Sequence, residues 1–302
     1  SFYPTNTLST AQEILFFWVA RMIMAGMEFM GDIPFSDVYI HGTVRDEKGR
    51  KMSKSLGNGV DPLEVIESHG ADAMRFSMIV ITAQGQDVFI SYDGKNSIKK
   101  KDHNTFDIGR NFANKIWNAA RFVLTLSGGS IGKARGVEPD LADRWIRSKY
   151  NRTAARMTEA LDSFRFNDAA RLVYDFLWHD FCDWYLEIIK PRVARGGDER
   201  TFVLRNAAEI LAGTMQLLHP IMPYVTEEIW QHLTEALGER HAPSIMISRW
   251  PVCDKKTLDD AAESEMDAVQ SLIGSIRNIR NEMNVPLGDR KSTRLNSSHR
   301  IR

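Results

Sequence analysis

The sequence predicts two architectures in succession: the end of an α/β domain with a parallel sheet, then an all-α helix bundle. Three observations carry this reading. Up to residue 83, helical stretches alternate with short apolar runs, as in parallel strands joined by helices. Residues 84–104 are polar and irregular. From Phe106 to about residue 238, apolar residues recur at spacings of three and four, with prolines between the runs.

The first element follows a turn-rich start at Pro4, Thr5 and Asn6. Residues 13–22 are apolar nearly all round, which predicts a helix buried in a large core. The apolar stretch 14–30 is interrupted by Arg21 and Glu28 and falls short of the roughly 20 apolar residues of a membrane span. Gly31-Asp32-Ile33-Pro34 breaks it. Val38-Tyr39-Ile40, short and apolar, suits a buried parallel strand that Gly42 ends. Thr43-Val44-Arg45-Asp46 leads into a lysine-rich loop. Asp61-Pro62 starts a helix through Ile66, with proline at its first position, and His69-Gly70 stops it. Ala71-Asp72-Ala73-Met74-Arg75-Phe76 begins another. In the connector, Lys95 and the run Lys99-Lys100-Lys101 read as solvated charge, with a phosphate-backbone contact as the sharper alternative.

In the second half, residues 167–190 place Val173, Leu177, Phe181, Trp184, Tyr185 and Ile188 on one helix face, and Pro191 is expected to end it. Leu204, Ala208, Leu211, Met215 and Leu218 form a second stripe, closed by Pro220. Pro223 and Thr226 open a third helix with Ile229, Trp230, Leu233 and Leu237 on one face. Short connections imply antiparallel neighbours. The aromatic stripe Phe181, Trp184 and Tyr185 reads as core rather than as a base-stacking platform. Residues 244–250 alternate weakly and predict a short edge strand. Met266, Val269, Ile273, Ile276, Ile279 and Met283 mark a last amphipathic helix, stopped by Pro286, with Arg277, Arg280 and Asn281 at exposed positions. No internal repeat is visible.

Composition narrows the class. At 302 residues the chain has room for about two domains. It is 43% hydrophobic and 26% charged, as soluble globular proteins are. No secretory signal is visible, and the missing initiator methionine reads as a fragment. Cys182 and Cys253 form no CxxC pair, so neither a disulfide framework nor a zinc site is expected, and a reducing cytoplasm fits. His179 and Cys182 share a helix face, which core packing explains better than metal binding. The formal net charge is zero, but residues 289–302 carry Arg290, Lys291, Arg294, Arg300 and Arg302 against one aspartate. Without that tail the balance is 34 basic against 38 acidic residues, so contact with nucleic acid has to come from local basic patches. The tail has no hydrophobic period and looks like a translated sequencing adapter.

The lysine-rich loop is Lys51-Met52-Ser53-Lys54-Ser55, bracketed by Gly49, Gly57 and Gly59. Glycines make such a loop mobile, and two ammonium groups on it could close over a polyphosphate. The pentamer is the KMSKS signature, and it resembles the class I aminoacyl-tRNA synthetases. Neighbouring text matches the valine type of that family. Phe16-Phe17-Trp18-Val19-Ala20-Arg21-Met22, Val38-Tyr39-Ile40-His41-Gly42 with Val44-Arg45-Asp46, Ser55-Leu56-Gly57-Asn58 and Asp61-Pro62 resemble the segments around its loop. Asp72-Ala73-Met74-Arg75-Phe76 is similar to the start of its stem-contact region. In the helical half, Gly109-Arg110-Asn111-Phe112-Ala113-Asn114-Lys115-Ile116-Trp117-Asn118-Ala119 resembles the first helix of its anticodon-binding domain. Asp143-Arg144-Trp145-Ile146, Phe181-Cys182-Asp183-Trp184-Tyr185-Leu186-Glu187 and His219-Pro220-Ile221-Met222-Pro223 resemble its later helices.

The resemblance implies a Rossmann-type α/β catalytic domain, present as its C-terminal part, followed by an anticodon-binding bundle. On this reading residues 1–90 are catalytic and stem-contact, 91–105 a connector, 106–253 the bundle, 254–288 the C-terminal amphipathic helix and 289–302 the foreign tail. It implies ATP-dependent ligation of L-valine to tRNA(Val) through valyl-adenylate, by a cytoplasmic monomer. Lys54 is expected on the ATP phosphates, Lys51 second, with Met52 at the nucleotide and Ser53 and Ser55 shaping the loop. Mg²⁺ is expected with the nucleotide, with no metal held by the protein itself. Arg110, Asn111, Asn114 and Lys115 are the candidate tRNA contacts, and the alternative for each is a capping or surface role. The chain departs from the family pattern in four respects. The HIGH signature and the editing insertion are missing, and His41-Gly42 does not stand in for HIGH. Thr10-Ala11-Gln12-Glu13 stands where many members have a glycine and an aspartate. Residues 91–104 are longer and richer in lysine than is common. An isoleucine- or leucine-type synthetase, or a non-catalytic tRNA-binding module, remains open on these residues.

Overall fold

The computed structural model describes residues 2–92, 104–238 and 242–285. Lys95, Lys99, Lys100, Lys101, Pro286 and the tail 289–302 lie outside the described residues.

The chain opens with β1 (Thr5–Ala11), which the turn-rich start did not suggest. Pro4 sits just before the strand, where its missing N–H costs no ladder bond, and Thr5, Thr7 and Thr10 are β-branched. β1 pairs in parallel with β2 (Phe35–His41), in a register running from Thr5↔Phe35 to Ala11↔His41. The parallel direction matches expectation, but the burial does not: of β2 only Phe35 is buried, and Tyr39 is half-buried against Phe164 and Phe166.

The crossover between these strands also corrects the sequence reading. It is helical, with a π-type turn at Leu15–Val19, α1 (Ala20–Ala25) and a second π-type turn at Gly26–Met30. It is not buried, however: Phe16 is 86% and Phe29 82% exposed, and only Val19 and Gly26 are buried. A helix apolar on all sides needs a layer on each side. Among the described residues, a two-stranded sheet covers one.

A second parallel pair, β3 (Val44–Arg45) and β4 (Val88–Phe89), flanks the lysine loop. A Cβ on Gly42 would lie 1.9 Å from the Gln86 carbonyl oxygen, so only glycine permits this approach. α2 (Pro62–His69) begins as expected: Asp61 caps it by accepting from Leu63 N at 2.9 Å, and Pro62 is its first residue. α3 (Ala71–Ile81) follows after Gly70. Val65, Val88, Ile90 and Phe106 form a small core under these elements.

The bundle comprises α4 (Asp107–Ser127), α5 (Leu141–Asp162), α6 (Phe166–Asp175), a π-type segment Phe176–Tyr185, α7 (Leu186–Arg195), α8 (Gly197–Leu218) and α9 (Pro223–Leu237). Its stripes point inward as expected: Leu204, Ala208, Leu211, Met215, Leu218, Ile229, Trp230 and Leu233 are buried. Phe181 and Tyr185 are fully buried, and Trp184 is half-buried beneath the Arg277 guanidinium, so the aromatic stripe is core.

Pro191 does not end its helix; α7 runs through it to Arg195. Interior proline costs about 3 kcal/mol. The next residue anchors the helix to its neighbours at that point. Arg192 is buried and binds Asp143 at 2.6 Å, Asp140 at 2.9 Å and Glu199 at 3.0 Å. Burial pushes the Asp143 carboxyl up and Arg192 pulls against it. Tyr185 OH donates to Asp143 at 2.9 Å and accepts from Asn206 at 2.6 Å, which ties α5, the π-type segment and α8 together.

The expected edge strand at 244–250 is a 3₁₀ turn, Ile245–Ile247. Ser244 accepts from Met246 N at 3.2 Å and donates to Glu227 at 2.6 Å, and among the described residues no strand lies beside it to pair with. α10 (Asp260–Glu282) is capped by Asp259 and docks on α5 through Arg152–Asp260 and Arg144–Asp259. Only Ala262 and Met266 of α10 are buried; Val269, Ile276, Ile279 and Met283 are exposed. Arg277 and Asn281 are exposed as expected, while Arg280 is half-buried.

α3 joins the two halves. Its Asp72 carboxylate accepts from Tyr224 N at 3.2 Å and Val225 N at 2.6 Å, which caps α9 from outside. Arg75 donates to the carbonyls of Pro220 and Ile221, each at 3.0 Å. Phe76 packs on Phe112 with ring centroids 4.6 Å apart. A Cβ on Gly109 would meet the Ala73 carbonyl oxygen at 2.1 Å.

Two expectations follow. Asp72→Ala removes the α9 cap and lowers stability by about 1–2 kcal/mol, read as a shift in the urea midpoint. Burial raises Asp180, 3.6 Å from the Lys149 ammonium, to about 6. The folded chain therefore protonates before the unfolded one. Stability rises as pH falls from 7 through 6, reaches its full gain near the ordinary value of 3.8, and is lost on the way back up. Asp180→Asn removes this slope and stabilises the protein at pH 7, by of order 1 kcal/mol, in paired denaturant titrations at pH 5 and pH 7.

Candidate functional site

The lysine loop hangs from a tight hairpin. Asp46 N donates to Arg50 O at 2.9 Å and Met52 N to Val44 O at 3.1 Å, with Gly49 turning the chain at φ +76°. Arg45 anchors the hairpin from below, donating to Asp87 at 2.5 Å and to the Gly49 carbonyl at 3.0 Å. Asp46 accepts from the backbone N–H of Lys48 and Arg50, the Arg50 side chain and the Asn58 amide, at 2.8–3.0 Å. These bonds, Asn58's foremost, hold its carboxyl well below the usual carboxylate range.

Asn58 closes the loop. Its Oδ1 accepts from Ser53 N at 3.0 Å, and its Nδ2 donates to Asp46 at 3.0 Å and to the Lys51 carbonyl at 3.3 Å. Ser53 Oγ accepts from Leu56 N at 3.3 Å and lies 3.1 Å from Ser55 Oγ. Gly57 N returns to Lys54 O at 3.2 Å, with Gly57 at φ +60°. The two serines therefore sit within the loop's own hydrogen bonding.

The side chains diverge in environment. Lys54 stands at the tip of the turn, exposed, and no anion faces it among the described residues. Lys51 Nζ is 2.5 Å from Glu13 Oε2, just past the end of β1. Met52 is half-buried and packs on the small core of Val65 and Val88. A cavity of about 250 Å³ adjoins the loop, lined by Asp46, Lys48, Arg50, Met52 and Tyr92 among others; neither loop lysine borders it.

Of the residues expected to touch tRNA, α4 brings all four to its first turns. Arg110 is paired with Asp107 at 2.5 Å. Lys115 is paired with Asp183 at 2.6 Å and lies 4.9 Å over the Trp178 ring. Asn111 and Asn114 are exposed without hydrogen-bond partners among the described residues, and Trp117, 45% exposed, follows them along the helix. Arg110 and Lys115 are thus held in partly exposed ion pairs, while the two amides are open.

Sequence reasoning missed Asn58 and Asp46 as the residues that shape the loop, and Glu13 as the partner of Lys51. The spacing of Asp46 to Gly49, a turn signal, was the available clue to Asp46. Glu13 and Lys51 are 38 residues apart, and nothing local connects them.

The chain as a whole has relatives among known proteins. Residues 143–295 match the family model of the anticodon-binding domain of tRNA ligase, and residues 1–91 match that of the class I tRNA synthetases (I, L, M and V). The valine–tRNA ligase of Thermotoga maritima is 47% identical over 96% of this chain, and that of Clostridium acetobutylicum 48% over 94%. The chain spans about 31% of the length of each. Among solved structures, Mycobacterium tuberculosis methionyl-tRNA synthetase with methionyl-adenylate superposes with a TM-score of 0.61 at 22% identity, covering 83% of this chain and 49% of that one. An Agrobacterium radiobacter LeuRS–tRNA–LeuAMS ternary complex gives 0.62 at 20% identity, covering 85% and 29%. These two show a shared fold.

Asn58→Ala cuts all three of the loop's closing bonds. Trypsin is expected to cleave after Lys54 about tenfold faster, at unchanged global stability, as loss of part-buried hydrogen bonding of roughly 1–2 kcal/mol within the loop implies. An unchanged cleavage rate would show that the loop's shape does not depend on Asn58.

Proposed function

The chain belongs to the class I tRNA ligase family through its anticodon-binding domain, and from that premise we propose that its protein ligates L-valine to tRNA(Val) at the expense of ATP. The observation that carries the reading is Lys54: one ammonium without an anionic partner among the described residues, at the tip of a loop pinned at its base. The 47–48% identity to two valine–tRNA ligases supports valine over isoleucine or leucine.

In this reading the valine carboxylate attacks the α-phosphorus of ATP. The bond to pyrophosphate breaks, and negative charge gathers on the leaving group. Lys54, a compact and mobile charge, follows that group, and Lys51 joins it. Such chemistry needs positioning and charge stabilisation more than covalent help. Asn58 and Asp46 supply the positioning, with Ser53 and Ser55 inside the loop. Mg²⁺ arrives on the nucleotide. The terminal ribose hydroxyl of the tRNA then takes the valyl group and AMP leaves. β1 and β2 are read as strands of a Rossmann-type sheet, residues 106–253 as the tRNA-reading bundle, and Asn111 and Asn114 as its open amides, in a cytoplasmic monomer.

Two measurements test this. The 302-residue chain lacks the HIGH half of the ATP site, so it is expected to show no valine-dependent ATP–pyrophosphate exchange. The full reading frame containing it is expected to exchange, and Lys54→Ala there to lose about 10²-fold or more in kcat. Exchange driven by isoleucine or leucine instead of valine would overturn the substrate, and wild-type exchange by Lys54→Ala the role of the loop.

A further inference from the structure

Glu13 is the one acid that reaches the lysine loop from another element among the described residues. It lies in the 3₁₀ turn Gln12–Ile14, directly after β1, and β2, the parallel partner of β1, ends level with it at His41. Both strand ends therefore open on the same edge, which is where open parallel sheets take their ligands. Glu13 crosses that edge to Lys51, Nζ to Oε2 2.5 Å, while Lys54, three residues on, is left open.

The pair is accessible, with side chains 57% and 53% exposed. An exposed pair of this kind contributes only about 0.2–1 kcal/mol. It is enough to bias a flexible lysine toward one arrangement and weak enough for a polyanion to displace. A polyphosphate held first by Lys54 would offer Lys51 several charged oxygens against the single carboxylate of Glu13.

We propose that Glu13 is a positioning residue that holds the Lys51 ammonium when no polyphosphate is bound and yields it to the anion, so that the two lysines engage in order, Lys54 before Lys51. This rests on the phosphate-binding role given to the loop above. It adds a carboxylate that competes with the substrate and keeps Lys51 at the strand edge rather than in solvent.

The test uses the chain as it is, with inorganic pyrophosphate as probe. Competitive trace acetylation read by mass spectrometry reports each lysine separately. Glu13→Gln is expected to raise labelling of Lys51 about two- to fivefold, the range an exposed ion pair allows, and to leave Lys54 unchanged. Isothermal titration is expected to show pyrophosphate binding tightened by a similar factor in Glu13→Gln. The gain should vanish in Glu13→Gln/Lys51→Ala and be largely reversed by Glu13→Asp. A glutamate acting only through its general negative charge would, when removed, tighten anion binding in the Lys51→Ala background as well. Unchanged Lys51 labelling in Glu13→Gln overturns the pairing, whether or not pyrophosphate binds. Raised labelling with no tightening of pyrophosphate binding overturns the competition. If Lys54→Ala binds pyrophosphate as well as wild type while Glu13→Gln still frees Lys51, the pairing stands and the phosphate role of the loop fails.

Discussion

Helix α3 presents Asp72 to the bare N-terminus of α9 and, one turn later, Arg75 to the two carbonyls that precede that helix. A carboxylate there meets two unsatisfied N–H groups and the positive end of a helix dipole, while a guanidinium meets carbonyls with no partner in the turn. Each charge is satisfied by backbone, which no substitution on α9 short of proline can remove. Because Asp72 and Arg75 share one rigid element, they fix direction as well as distance. α3 also packs on α2, which begins just after the lysine loop, so the loop and the bundle are referenced to the same helix. Gly109 completes the junction by letting α4 approach the backbone of α3 more closely than any side chain would allow.

Much of this was legible in the sequence where the cause was local. Asp61-Pro62 announced α2 because cap and first-turn proline are both short-range effects. The stripes of α8 and α9 were readable because each is a period within one helix. Pro191 misled because its penalty is local, whereas the contacts that anchor the helix beside it, the three carboxylates around Arg192, come from α5, its N-cap and α8. β1 was hidden because a strand beginning at Thr5 has to be recognised by its partner, some thirty residues away. At the site, the lysines and serines were visible as a signature, but their division of labour was not. Asn58 and Glu13 act by reaching across the fold, and reach is not written in spacing.

The two halves differ in how they use apolar surface. The bundle buries its stripes almost completely. The helical crossover of residues 15–30 and the far end of α10 carry equally apolar residues in the open, among them Phe16, Phe29, Ile276 and Ile279. Identical residue types thus have opposite surroundings in one chain, and burial follows the number of layers available rather than hydrophobicity alone. The crossover still holds its helical course, because its backbone bonds are internal and β1 and β2 fix both of its ends.

The loop separates form from charge. Its outline is drawn by the Asn58 amide, the Asp46 carboxylate and the Ser53 hydroxyl, all bonded to backbone, while its two ammonium groups take no part in that outline. Lysines there can be exchanged, neutralised or lengthened without redrawing the path of the chain, and the path can be altered without touching a charge. Shape and affinity at this turn are therefore open to independent selection, so a protein carrying it can retune how firmly it grips an anion while leaving where it grips unchanged.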